Sequence, residues 1–134
     1  IYTGSARVPF PFQANLFALP EKERKRCLNG LLACARQNTP APKNFKEWCL
    51  QSFGAGIYQI FMRPYNTNLW GRNPEEMTCD WCGPFVPVPT VEEALQRIFL
   101  LSRQRRLRGL GRSLGAPYHP FIVKYTCYAH RFSP

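Results

Sequence analysis

The chain has no run of about 18 apolar residues, so nothing in it reads as a membrane-spanning helix. It has no internal repeat, and no apolar/polar alternation sustained enough to set strands. It is short of acid: 8 Asp and Glu against 18 Lys and Arg, a net charge of +10. The shortage is local. Residues 1–93 hold all 8 acids and 10 of the bases, giving +2, while residues 94–134 hold the other 8 bases and no acid, giving +8. A near-neutral body therefore carries a basic tail, and the total does not by itself mark a nucleic-acid binder. The first residue is Ile1, with no charged and apolar leader after it, so the chain reads as a processed product or part of something longer.

What is present is helical punctuation. Pro20 followed by Glu21 and Glu23 suits a helix start, the carboxylates lying at the positive end of the dipole. Leu28, Leu31, Leu32 and Ala35 then make one apolar stripe. Residues 38–43 form a Pro-rich linker. Three capping-box patterns follow: Asn44 with Glu47, Asn73 with Glu76, and Thr90 with Glu93. The first opens a helix with Phe45, Trp48, Cys49 and Phe53 on its apolar face. Gly54 and Gly56 interrupt it, and a second segment through Ile57, Ile60 and Phe61 is expected to stop before Pro64. The third box starts a helix with Val91, Ala94, Leu95, Ile98 and Phe99 on one side. Residues 7–19, with Pro9 and Pro11 close together, read as an edge strand or extended loop. The body, residues 1–101, is thus mainly α with four or five helices, and residues 102–134 read as an irregular basic tail.

Few residue clusters carry chemistry. Cys79 and Cys82 make one CxxC, but Cys27, Cys34, Cys49 and Cys127 supply no second pair for a zinc site. His119, Cys127 and His130 fall in the tail, and residues 121–125 hold only a weak strand signal. Cysteines on apolar helix faces behave as small hydrophobes, and without a secretory signal they are expected reduced, in a cytoplasmic setting. The run Gly109 to Gly115 is one residue too long for a dinucleotide fingerprint, with no strand before it. The basic run Arg103–Arg112 is a candidate for nucleic acid or an anionic surface, but a lone cluster of this kind is ordinarily solvated, and nucleic acid is disfavoured.

The informative stretch is 44–71. Arg63 ends an apolar helix and offers a planar fork to phosphate oxygens. Trp48, Tyr65 and Trp70 supply flat faces, and Asn44, Asn66 and Gln13 supply amides. Aromatic platforms, amides for hydroxyls and an Arg for a diphosphate are what a nucleotide sugar requires. The competing reading is that helix aromatics are core and that Asn44 is a cap.

These residues also carry a resemblance. Val8-Pro-Phe-Pro-Phe-Gln13-x-Asn15, Asn44-Phe-x-Glu-Trp48, Phe53-Gly-x-Gly-Ile57 and Phe61-Met-Arg63-Pro-Tyr-Asn66-x-x-x-Trp70, in that order, resemble UDP-galactopyranose mutase and its relatives. Trp70-Gly-Arg-x-Pro-Glu-Glu-Met77 and Phe85-Val-Pro-x-Pro-x-x-Glu-Glu93 extend the likeness to about residue 97, and look closer to the bacterial members. The resemblance implies the helical substrate-binding region of an FAD-dependent, amine-oxidase-like α/β fold, incomplete here because no strand with GxGxxG precedes it. It further implies that Arg63 meets the substrate diphosphate and that Gln13 and Phe10 lie near the uracil. The mutases have Tyr in place of Phe10, so one polar contact would be lost. By the same resemblance Asn44 and Trp48 line the nucleotide-sugar cleft. In such enzymes reduced flavin attacks the sugar's anomeric carbon, allowing ring contraction. FAD and a nucleotide-sugar or other small-molecule substrate are thus expected of the parent. This chain is expected to bind no FAD and to be inactive alone. The alternatives are a fragment of an FAD-dependent oxidoreductase, of the amine-oxidase or protoporphyrinogen-oxidase type, and a non-enzymatic basic binding module. The acid-free tail departs from the family, as a truncated or frame-shifted reading would.

Overall fold

The computed structural model describes the backbone of residues 1–108 and the side chains of residues 1–101. Gly109 to Gly115, residues 121–125, His119, Cys127 and His130 lie outside the described residues, as do the side chains of the Arg103–Arg112 run. Among the described residues there are five α-helices and no strand, only an isolated bridge between Tyr2 and Arg7. The helices are α1 (Glu21–Cys34), α2 (Phe45–Ile57), α3 (Arg63–Trp70), α4 (Cys82–Phe85) and α5 (Val91–Arg108).

The helix starts follow from short-range chemistry. The Asn44 side chain accepts from the Glu47 N–H at 2.9 Å, and Glu47 Oε2 reaches back to the Lys43 N–H at 2.8 Å. Thr90 and Glu93 close a full reciprocal box, at 2.8 and 3.1 Å. Replacing Asn44 by Ala is therefore expected to cost about 1 kcal/mol in denaturant unfolding, with Asn44→Asp retaining most of the stability. Asn73 makes no such cap. Its side chain bonds Glu76 Oε1 instead, and Pro74–Glu76 is a single 3₁₀ turn rather than the expected helix.

Helices α1 and α2 pack directly on one another. Gly54, with φ of 76°, breaks α2, and a Cβ there would sit 2.6 Å from the Gly30 backbone. Gly56 approaches the Arg26–Cys27 backbone in the same way, a Cβ meeting Arg26 O at 2.8 Å. This approach turns α1 so that Cys27 and Leu31 are buried while Leu28 and Leu32 are half-buried and Ala35 is exposed. The expected Leu28–Leu31–Leu32–Ala35 stripe is thus displaced, because the glycine crossing selects the buried face.

Two further expectations are corrected. The chain does not stop before Pro64. Tyr58–Met62 form a π-turn in which the Arg63 N–H donates to Tyr58 O, and α3 starts afresh. Widening the turn removes the clash of the proline ring with the preceding carbonyls, and Pro64 falls in a first turn, where its missing N–H costs nothing. Residues 7–19 are neither edge strand nor open loop. Phe12–Ala14 and Leu16–Ala18 are 3₁₀ turns, and Phe12, Leu16 and Leu19 belong to the buried core with Phe45, Phe53, Ile57 and Phe61. Their backbone is held by Arg97, whose Nη1 donates to Ala14 O at 2.9 Å. Helix α5 runs without interruption past residue 101 to Arg108. No described helix is long and apolar enough to cross a membrane.

Candidate functional site

The seven candidate residues fall into two groups. The first is built around a column of rings. Phe12 stacks on Phe61 with centroids 4.7 Å apart, and Phe61 lies against Tyr65 at 5.0 Å. This column brings the segment carrying Phe10 and Gln13 to the segment carrying Arg63, Tyr65 and Asn66. Phe10 is 60% exposed and Tyr65 44%, so each keeps a face open to solvent. Arg63 is exposed. Gln13 and Asn66 are buried and used by the fold. Gln13 Nε2 donates to Pro87 O at 3.1 Å, tying down the segment before α5, and Asn66 Nδ2 donates to Met62 O at 2.8 Å beside the π-turn.

The second group is Asn44 and Trp48, at the start of α2. Asn44 Oδ1 is occupied by the cap. Trp48 is half-buried, stacked on Phe45 at 6.1 Å and edge-on to Phe53 at 5.5 Å, and Phe45 in turn stacks on Trp81 at 5.4 Å. Trp48 is thus part of an aromatic core layer, and no described contact joins it to Arg63. A shallow depression is lined by Ile1, Tyr2, Arg7, Val8 and Pro9, none of them a candidate residue.

Sequence reasoning missed a third set of residues. The turn Pro74–Glu76 packs on both α2 and α3, which brings Glu75 to Lys46, Oε1 to Nζ at 2.8 Å. This pair holds Lys46 above the usual lysine range and Glu75 below the usual carboxylate range. Tyr58 is buried, and its hydroxyl has no hydrogen-bond partner. Burial, and then the Glu75 charge, raise its phenol, so at neutral pH it is a donor. Of Lys46, Tyr58, Arg63 and Glu75, only Arg63 is among the sequence candidates. Glu75 arrives from a distant turn that no local pattern announces.

The cysteines offer little reactivity. Cys27, Cys34, Cys49, Cys79 and Cys82 are all free thiols. Burial pushes Cys27 and Cys82 up to about 12 and raises Cys49 as well, the opposite of an activated thiolate. Cys34 and Cys79 donate to the carbonyls of Leu50 and Pro42. No group of three or more potential metal ligands comes together among the described residues.

The resemblance also implied FAD, and the described residues do not fit it. Among the described residues no strand leads into a phosphate-binding loop, and the close-approach glycines Gly54 and Gly56 are filled by α1 rather than open to a ligand.

No family model matches the chain. Among solved structures it is similar to reduced UDP-galactopyranose mutase, at 40% identity and a TM-score of 0.67, over 72% of this chain. The match covers 22% of that enzyme, so the chain spans about a fifth of its length. Over the matched stretch the chain is mutase-like in both sequence and backbone.

Proposed function

We propose, from this UDP-galactopyranose-mutase-like relationship, that the chain is a substrate-contacting segment of a flavoenzyme acting on a nucleotide sugar. The FAD-binding part of its amine-oxidase-like fold would lie in the remainder of the parent. The observation that carries the reading is that Arg63 and Tyr65, both in the first turn of α3 of a mutase-like backbone, are exposed. Both residues follow directly on a π-turn, a distortion frequent at functional sites.

In this reading Arg63 binds the diphosphate bidentately. Tyr65, packed on the Phe12–Phe61 column, and the exposed Phe10 supply apolar faces for the base or sugar. Gln13 and Asn66 position this surface, since each is buried and spends its amide N–H on a backbone carbonyl. Asn44 and Trp48 act through the fold, as cap and core. The flavin would supply the covalent chemistry, and nothing in this chain's described residues replaces it.

The test is titration of the chain with UDP, followed calorimetrically. Arg63→Ala is expected to weaken binding at least about tenfold, as loss of a charge-assisted hydrogen bond does. Because Arg63 is exposed, unfolding stability should change by no more than about 0.5 kcal/mol. Binding unaffected by the substitution, or lost only in step with stability, overturns the reading. For the parent enzyme, a furanose product from UDP-galactopyranose is expected, and its absence would favour the oxidoreductase alternative.

A further inference from the structure

Helix α5 packs one apolar face on the body and carries a second one outward. Ala94 is buried, and Val91 and Ile98 are half-buried against the core. Leu95, Phe99 and Leu100 are instead 46%, 65% and 52% exposed. Large apolar side chains gathered on one helix, rather than scattered singly, mark a contact surface.

The charges along α5 decide which partner fits that surface. Its acids, Glu92 and Glu93, both stand in the first turn, while Arg103, Arg105, Arg106 and Arg108 all fall in its C-terminal part. Arg97, midway, is engaged with the body through Ala14 O. Glu93 is committed to the cap with Thr90. Glu92 is exposed, and it belongs to neither ion pair formed among the described residues, Lys25–Glu21 and Lys46–Glu75. Positions 92, 95, 99, 103 and 106 succeed one another at helical spacing and so share one line along α5. That line reads Glu, Leu, Phe, Arg, Arg, with position 99 at its midpoint.

Such a line complements itself in one arrangement only. Beside a parallel copy, acid meets acid and base meets base. Beside an antiparallel copy, related by a two-fold axis at position 99, position 92 meets position 106 twice and Phe99 meets its own symmetry mate. A nucleic acid or an acidic protein would be drawn to the basic end but repelled by Glu92 on the same line, and would gain little from Phe99. We propose that α5 is a self-association surface, on which two copies of this chain pair antiparallel. Leu95, Phe99 and Leu100 form the apolar centre, and Glu92 of each copy lies against Arg106 of the other. The lack of acid after residue 93 then has a partner: the basic end of one helix is matched by the acidic first turn of the next.

Sedimentation velocity of the whole chain across a concentration series at low ionic strength tests this, since screening of such pairs is weakest there. A discrete monomer–dimer equilibrium is expected, shifted toward monomer by added salt. Phe99→Asp is expected to weaken the dimer at least about tenfold, as loss of a central aromatic anchor does. Glu92→Arg alone and Arg106→Glu alone should each weaken it about threefold or more, because both symmetric pairs become like-charged. An equimolar mixture of those two variants is expected to recover the dimer, since every pair between unlike chains is again of opposite sign. Each variant is its own control in the mixture, so an effect of either substitution on helix stability does not produce the recovery. A wild-type chain that stays monomeric overturns the proposal. So does association that grows past the dimer, that survives Phe99→Asp, or that is no stronger in the mixture than in either variant alone.

Discussion

Gly54→Ala is expected to destabilise the chain by about 4 kcal/mol or more, enough to place it in the rare class of severe single substitutions. Two independent costs combine. Gly54 sits at φ of 76° and ψ of 172°, a region open in practice only to glycine, so any side chain brings backbone strain of about 1–3 kcal/mol. The added Cβ would also lie 2.6 Å from the Gly30 Cα and carbonyl carbon and 2.8 Å from its oxygen. These are backbone atoms of a packed helix, with no flexible end to swing aside. Relief requires α1 and α2 to separate, and their contact covers Cys27, Leu31, Phe53 and Ile57 in one core. Gly71→Ala is the internal control. Gly71 also has positive φ, at 64°, but a Cβ there meets nothing within 4 Å. It should show the strain alone, about 1 kcal/mol. Urea unfolding of the two variants, followed by circular dichroism, measures the difference. Equal losses would mean that the glycine crossing of α1 and α2 is not tight.

The same crossing shows why part of the fold was legible in the sequence and part was not. Asn44, Thr90 and the Pro20–Glu21 start could be read directly, because a cap is settled within four residues and needs no tertiary information. Asn73 carries the same pattern, yet the chain turns at Glu76 to pack Pro74–Glu76 on α2 and α3, and tertiary contact overrides the local preference. Pro64 reads as a stop because an α-helix cannot accommodate its ring. A π-turn can, and nothing short-range announces one. The burial of residues 12–19 was hidden for a similar reason: Pro9 and Pro11 signal irregular backbone, not whether that backbone is inside or outside. For the candidate site, Arg63 and Tyr65 are both exposed at the start of α3. Trp48, Gln13 and Asn66 are engaged with the protein itself, since the aromatic and amide side chains that suit a ligand also suit a core and its polar ties. The Lys46–Glu75 pair could not be read at all, because its members come from two separate elements.

Raising the pH above about 9 is expected to unfold the chain over a narrow range, and the buried thiols are the reason. In the unfolded chain a cysteine ionises near its ordinary value of 9.0, whereas folded Cys27 and Cys82 hold their protons to about 12 and Cys49 is also raised. Burial is the leading cause at all three, since a thiolate there would lose its hydration. The folded state therefore binds more protons than the unfolded state between about pH 9 and about pH 12, and stability falls as pH rises through that window. Below pH 9 both states are protonated and the contribution is fully present. Each thiol removes up to about 1.4 kcal/mol per pH unit, so three acting together remove up to about 4 kcal/mol per unit. A domain of this size has about 5–15 kcal/mol in total, which two or three such units exhaust. Tyr58, raised in the same direction from its ordinary 10.0, adds to the loss at the upper end. Urea midpoints measured under reductant from about pH 8 to about pH 11 should fall with this slope. Cys82→Ala should flatten the slope, by up to about 1.4 kcal/mol per pH unit, whatever it does to absolute stability. An unchanged slope would mean that Cys82 ionises freely in the folded chain. The same result would reopen Cys79-x-x-Cys82 as reactive chemistry, which a thiol held protonated at neutral pH does not support.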